Sequence, residues 1–112
     1  MLKYSYQAEK LSVARSSLML PHAGGAAKSI ASAFQACSLG FTDMDRKGLN
    51  ADARRCVKVI EGFMDTTGIE DPKGVGTYEL KARKLTEDEQ GELSQAVDEL
   101  AYWFDREAWG SK

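Results

Sequence analysis

The longest regular run of apolar positions lies in the last third of the chain, between Thr86 and Trp109. At about 100° per residue, its apolar side chains fall within an arc of about 160°, which predicts an amphipathic helix packed against more than one neighbour. These side chains are Leu93, Ala96, Val97, Leu100, Ala101, Trp103, Phe104 and Ala108. Thr86 and Glu89 have the spacing of a capping box, in which each side chain bonds the other residue's main-chain N–H, so the helix is expected to begin there.

Two aromatic residues of the same segment, Tyr102 and Trp109, lie nearly opposite this apolar arc. They are one heptad apart, and Arg106 belongs to the same outward face. Tyrosine and tryptophan combine a large apolar area with one polar group, and both are enriched at protein interfaces. Tyr102, Arg106 and Trp109 are therefore the candidate partner-binding residues.

The first segment, residues 1–20, has apolar residues on two sides of a helix. One face carries Tyr4, Ala8, Leu11, Ala14 and Leu18, and the opposite face carries Leu2, Tyr6, Val13 and Leu20. Such a helix is either central or used by a partner. Alternation over residues 2–6 also suits a short strand that leads into a helix from about Ala8. In either case Pro21 ends the segment.

Two further helices are predicted between Pro21 and the middle of the chain. The second runs from His22 to Leu39 and ends at Gly40. The third is capped by Asn50 and runs from Ala51 to about Thr66. The apolar face of the second helix carries Ala23, Ala26, Ile30, Ala33, Phe34 and Cys37. The apolar face of the third helix carries Ala53, Val57, Ile60 and Met64.

Residues 66–77 hold three glycines and a proline and are expected to be a loop. The next segment, Tyr78 to Leu85, alternates apolar and polar residues as an exposed strand would. A lone strand cannot satisfy its main-chain groups, so residues 78–82 would need residues 2–6, or another chain, as a partner. The alternative is an extended or helical approach to the last helix.

These patterns predict a mainly α fold: one domain over residues 1–112, made of three to four helices, with a small two-stranded β ribbon as an open alternative. A chain of 112 residues buries roughly two thirds of its unfolded surface and needs no covalent staple.

There is no apolar run long enough to cross a membrane and no signal-peptide pattern, so a cytoplasmic location is expected. Cys37 and Cys56 lie on apolar faces and are expected to be reduced and buried.

Candidate metal and cofactor chemistry is sparse. Asp43, Asp45 and Gly48 match three positions of a calcium-binding EF-hand loop, but Lys47 and Arg54 stand where oxygen ligands are required. The chain has one histidine, and its two cysteines are far apart, so a zinc site or a Cys-His nucleophile is not expected. No cofactor, metal or catalytic residue is therefore predicted.

One further pattern concerns Arg15 and His22, which are separated by six residues. This spacing resembles the Arg-(four to six residues)-His motif of HEPN ribonucleases, small helical-bundle proteins in which the Arg and His carry RNA cleavage. The resemblance covers these two residues only. Pro21 interrupts the helix that should hold both, and no Asn or His follows Arg15.

The leading functional prediction is a non-enzymatic protein-interaction module: a regulator, adaptor, inhibitor or self-assembling subunit that binds another protein or a second copy of itself. The alternative is nucleic-acid binding through a basic face made of Arg54, Arg55, Lys58, Lys81, Arg83 and Lys84. A net charge of −2 and seventeen acidic residues weigh against that alternative. The HEPN-like ribonuclease comes third.

Overall fold

The computed structural model describes residues 3–19 and 25–110, which fold into an all-α domain. The helices are α1 Ser5–Met19, α2 Ala26–Phe41, α3 Ala51–Met64, α4 Thr77–Arg83 and α5 Glu87–Asp105. A π-helical turn, Arg106–Gly110, continues α5. The predicted fold class is confirmed, with five helices instead of three or four, and the described residues contain no strand.

The helices pack in the order α3, α5, α1, α2, α4, so α5 has two neighbouring helices, as its wide apolar arc predicts. One side of α5 packs on α1 and the other on α3, while α2 packs on α1 and α4. All eight side chains of the predicted arc are buried. The largest side chains with almost no exposed surface come from different helices and form one core: Leu11, Phe34, Ile60, Leu93, Leu100 and Phe104.

The helix ends agree closely with the sequence signals. Thr86 accepts the main-chain N–H of Glu89 at 3.1 Å, and Glu89 accepts that of Thr86 at 2.8 Å, so both halves of the capping box form. Asn50 caps α3 by accepting the N–H of Ala53 at 2.8 Å. The predicted start of α2 at His22 is wrong: the helix begins at Ala26, because Gly25 has a φ of 96° and is the N-cap, and it ends one residue beyond Gly40, at Phe41.

The first helix uses the Tyr4 face for the core, and the strand alternative for this segment is wrong. Ser5 and Tyr6 already belong to α1, whereas residues 1–2 lie outside the described chain. The ring of Tyr4 packs against Trp103 and Phe104, with centroids 5.5 and 5.3 Å away. Its hydroxyl donates to the main-chain oxygen of Asp45 at 2.6 Å. This bond connects the start of α1 to the linker before α3, residues 42–50.

The strand predicted at residues 78–82 is also wrong, because this segment forms α4. The carboxylate of Asp71 accepts the N–H groups of Val75 and Gly76 at 2.7 and 2.8 Å, which turns the chain just before the helix. Gly76 has a φ of 115°, a conformation that side-chain-bearing residues rarely adopt. A helix sets the ring of Tyr78 5.6 Å from that of Phe34. A strand here would find no second strand among the described residues.

Candidate functional site

The outward face of α5 displays Tyr102, which is 64% exposed. One helical turn later, the guanidinium of Arg106 lies over the tyrosine ring, 5.2 Å from its centroid. A cation held against an aromatic face in this way restricts both side chains. The structure therefore brings two of the three candidate residues together and directs them away from the core.

The third candidate, Trp109, is 60% exposed. It belongs to the π-helical turn, in which each residue advances by a smaller rotation than in an α-helix. The heptad spacing that aligned Trp109 with Tyr102 assumed a continuous α-helix. Within residues 3–19 and 25–110 the rings of Tyr102 and Trp109 make no ring-to-ring contact, so they do not form one aromatic cluster.

Two interhelical ion pairs flank Tyr102, one turn earlier on α5. Asp98 pairs with Arg15 of α1, and Glu99 pairs with Arg55 of α3 at 3.2 Å. All four side chains are well exposed, so solvent screening leaves each pair only a small contribution to stability. Their main effect is to hold arginines of α1 and α3 beside the tyrosine.

Tyr102 also forms the common wall of two grooves, one on each side of α5. The groove toward α1 has a volume of about 170 Å³ and is lined by Ser12, Arg15, Asp98, Ala101, Tyr102 and Asp105. The groove toward α3 has a volume of about 360 Å³ and is lined by Asp52, Ala53, Arg55, Cys56, Glu99, Leu100, Tyr102, Trp103 and Arg106. We refer to Tyr102, Arg106 and these two grooves as the Tyr102 surface.

Sequence patterns did not predict the contributions of α1 and α3 to this surface. Arg15 and Asp98 are 83 residues apart in the chain, and Arg55 and Glu99 are 44 apart. No local spacing links such residues. The only signal in the sequence is that α5 has a wide apolar arc, which requires two neighbouring helices but does not identify the polar residues at their edges.

Both thiols are buried in the core, as predicted. Cys37 has no exposed surface, and burial raises its pKa to about 12. Burial also raises the pKa of Cys56 to about 11, with a further contribution from its S–H···O contact of 3.4 Å to the Glu99 carboxylate. At neutral pH both groups are thiols and not thiolates, which is the unreactive form.

Of the Arg15 and His22 pair, the structure describes only Arg15. Arg15 lies on α1 and is engaged by the carboxylate of Asp98, while His22 lies outside the described residues. The ribonuclease pairing stays a prediction. Among residues 3–19 and 25–110, His, Cys, Asp and Glu form no group of three that could hold a metal ion.

Half of the basic residues considered for nucleic-acid binding are engaged within the protein. Arg55 pairs with Glu99, and Arg83 pairs with Glu79 on its own helix. Arg54 donates to main-chain oxygens of the linker before α3. Arg54, which bonds neutral carbonyl groups, and Lys58, Lys81 and Lys84 make no ion pair in the described part of the chain, so carboxylates offset two of the six cations.

Comparison with known proteins does not assign the site. No protein-family model, no curated protein and no solved structure matches this chain. In the part of the chain that the structure describes, no helix is both long enough and apolar enough to cross a membrane. The function has to be inferred from the Tyr102 surface itself.

Proposed function

We propose that this protein is a non-enzymatic interaction module that binds another protein, or a second copy of itself, through the Tyr102 surface. Tyr102 and Arg106 would contact the partner at the centre, with Trp109 at the adjacent edge. A small regulator, adaptor, inhibitor or self-assembling subunit would use such a surface.

The observation that carries the proposal is the exposure of Tyr102 together with its contact to Arg106. Tyrosine brings a large apolar area to an interface together with one polar group that can form a hydrogen bond. The Arg106 contact already restricts the ring in the free protein, which reduces the entropy lost on binding. A tyrosine and an arginine in contact, with a groove on either side, are the residue types that dominate binding energy in protein interfaces.

The charges around Tyr102 favour a protein over a nucleic acid. The two grooves contain the cations Arg15, Arg55 and Arg106, and the carboxylates of Asp52, Asp98, Glu99 and Asp105. Three cations against four carboxylates give no attraction to a polyanion. A partner that offers its own mixed charges can match this pattern, which contributes to specificity more than to affinity.

A photo-crosslinking experiment tests the proposal whatever the identity of the partner. Tyr102 is replaced by benzoylphenylalanine, which retains an aromatic ring, and the protein is irradiated alone and in extract from the native host. The control places the same residue at Leu39, an exposed apolar position on α2. Mass spectrometry identifies the crosslinked protein.

We expect one dominant protein adduct from position 102, formed by either a second copy or a distinct chain, and only weak, scattered adducts from position 39. The same adduct pattern from both positions, or none from position 102, would contradict the proposal. A crosslink to nucleic acid from position 102 would favour the alternative function.

A further inference from the structure

A second concave site lies away from the Tyr102 surface, between α3 and the linker that precedes it. It has a volume of about 320 Å³ and is lined by Arg46, Lys47, Leu49, Arg54, Val57 and Lys58. We call it the linker cleft. Leu49 and Val57 form the floor but are almost fully buried, so most of the apolar surface of the cleft comes from the methylene stems of its four cationic side chains.

The ends of the linker cleft are fixed by arginine contacts. At one end, Arg54 donates to the main-chain oxygens of Leu49 at 3.0 Å and Lys47 at 3.3 Å. At the other end, Arg46 makes two hydrogen bonds to the carboxylate of Glu61, at 2.8 and 3.2 Å. The cleft is thus held open by contacts between the linker and one face of α3, and it does not depend on a flexible loop.

The charge of the linker cleft is strongly positive for a protein whose net charge is −2. Four cations line it, the carboxylate of Glu61 pairs with Arg46, and Glu61 and Asp65 line a neighbouring groove together with Lys58. Arg54 is bonded to neutral carbonyl groups and keeps its full charge. Lys47 and Lys58 make no ion pair with any other residue that the structure describes.

We propose that the linker cleft binds a small organic anion, an apolar body that carries a carboxylate, sulfonate or phosphate group. The apolar body would lie against the methylene stems above Leu49 and Val57, and the anionic group would lie among Lys47, Arg54 and Lys58. This site is separate from the Tyr102 surface and does not depend on the function proposed for that surface.

The dimensions of the linker cleft favour a small molecule over a polymer. Arg54 and Glu61, which take part in the two end contacts, are separated by about 10 Å of rise along α3. The cleft volume falls at the lower end of the range for small-molecule sites, about 300–1,000 Å³. A helix or a nucleic-acid backbone would have to extend past both ends.

The test is a fluorescence titration of the full chain with anilinonaphthalene sulfonate, which joins an apolar ring system to one anionic group. Phenylnaphthylamine supplies the same kind of ring system without the charge, and inorganic phosphate supplies charge without the rings. Lys58→Gln and Lys58→Glu remove and reverse one cation of the cleft. Lys28→Glu makes the same net-charge change at an exposed position of α2, which does not line the cleft.

We expect saturable binding of the sulfonate at one site, with affinity reduced about tenfold by Lys58→Glu, less by Lys58→Gln and unchanged by Lys28→Glu. Phenylnaphthylamine should bind at least about tenfold more weakly, and phosphate should not displace the sulfonate. Circular dichroism and the melting temperature confirm that each variant is folded.

Three results would overturn the proposal. The first is the absence of saturable sulfonate binding, and the second is an equal loss of affinity in Lys58→Glu and Lys28→Glu. The third is equal affinity for the neutral ring compound, which would make the cleft a plain apolar surface. Tight binding of a DNA duplex that Lys58→Glu abolishes would assign the cleft to a polyanion instead.

Discussion

The guanidinium of Arg106 lies 5.2 Å from the ring centroid of Tyr102, on the face of α5 that the core does not use. Exposed contacts of this kind contribute about 0.5–1 kcal/mol. We therefore expect Arg106→Ala to lower the free energy of unfolding, measured by chemical denaturation, by no more than about 1 kcal/mol. Partner association should weaken, and Arg106→Lys should restore it only in part, because lysine keeps the charge but lacks the planar group.

Neighbouring aromatic residues of α5 should differ sharply in their contribution to stability. Phe104 has no exposed surface and contacts the rings of Tyr4 and Trp103, so Phe104→Ala should cost about 3–5 kcal/mol. Tyr102→Ala, two residues earlier, should cost about 1 kcal/mol or less, mainly the contact with Arg106. Urea denaturation of both variants measures the difference, and similar losses would contradict the assignment of inward and outward faces.

The capping box at the start of α5 should contribute measurably to stability. Thr86→Ala removes the acceptor of the Glu89 N–H and should cost about 1 kcal/mol. Thr77→Ala is the control, because Thr77 is an exposed threonine at the first position inside α4, one residue after the N-cap Gly76, and therefore does not occupy a capping position. Thermal unfolding compares the two, and an equal effect would show that the box contributes nothing specific.

The buried thiols predict a loss of stability in alkaline solution. The folded protein raises the pKa of Cys37 from 9.0 to about 12, so the unfolded chain releases this proton first as the pH rises. The stabilisation is complete below pH 9 and is lost between pH 9 and about 12. Cys37→Ala should flatten this part of the stability curve, as measured by denaturation at a series of pH values.

Substitution of a buried thiol should lower stability without affecting partner association. Cys37→Ser places a hydroxyl in the core and should cost about 1–3 kcal/mol, while association should persist below the lower melting temperature. A water-soluble thiol reagent should modify the native protein far more slowly than the unfolded chain. Rapid modification of both native thiols would contradict their burial.

The sequence predicted the elements whose signals are local. Asn50 and Thr86 each mark a helix start with a single side-chain bond, and the arc from Leu93 to Ala108 repeats often enough to define the buried face of α5. The prediction of a strand at Tyr78–Ala82 was wrong because alternation over a few residues fits a strand and an exposed short helix equally well. The contact between Tyr78 and Phe34, which favours the helix, depends on packing against α2.

The candidate site was predicted in part for the same reason. The exposure of Tyr102 follows from periodicity alone, whereas the position of Trp109 depends on a π-helical turn that has no sequence signature. The linker cleft could not be predicted from the sequence either. Arg46 and Glu61 belong to two different segments, and the sequence pattern of neither segment indicates that these side chains form a bond. In the sequence, Arg46 and Arg54 look like ordinary surface residues. Only the packing of the linker against α3 places them around one cleft.

The most direct measurement of the central claim is the association of the Tyr102→Ser, Trp109→Ser double variant with the protein captured from position 102. Sedimentation velocity or a binding titration would give the affinity, and circular dichroism and melting would confirm the fold. We expect association to be lost while the helical signal and melting temperature stay nearly unchanged, because both side chains are exposed. Unchanged association by a folded variant would contradict the claim that this surface binds the partner.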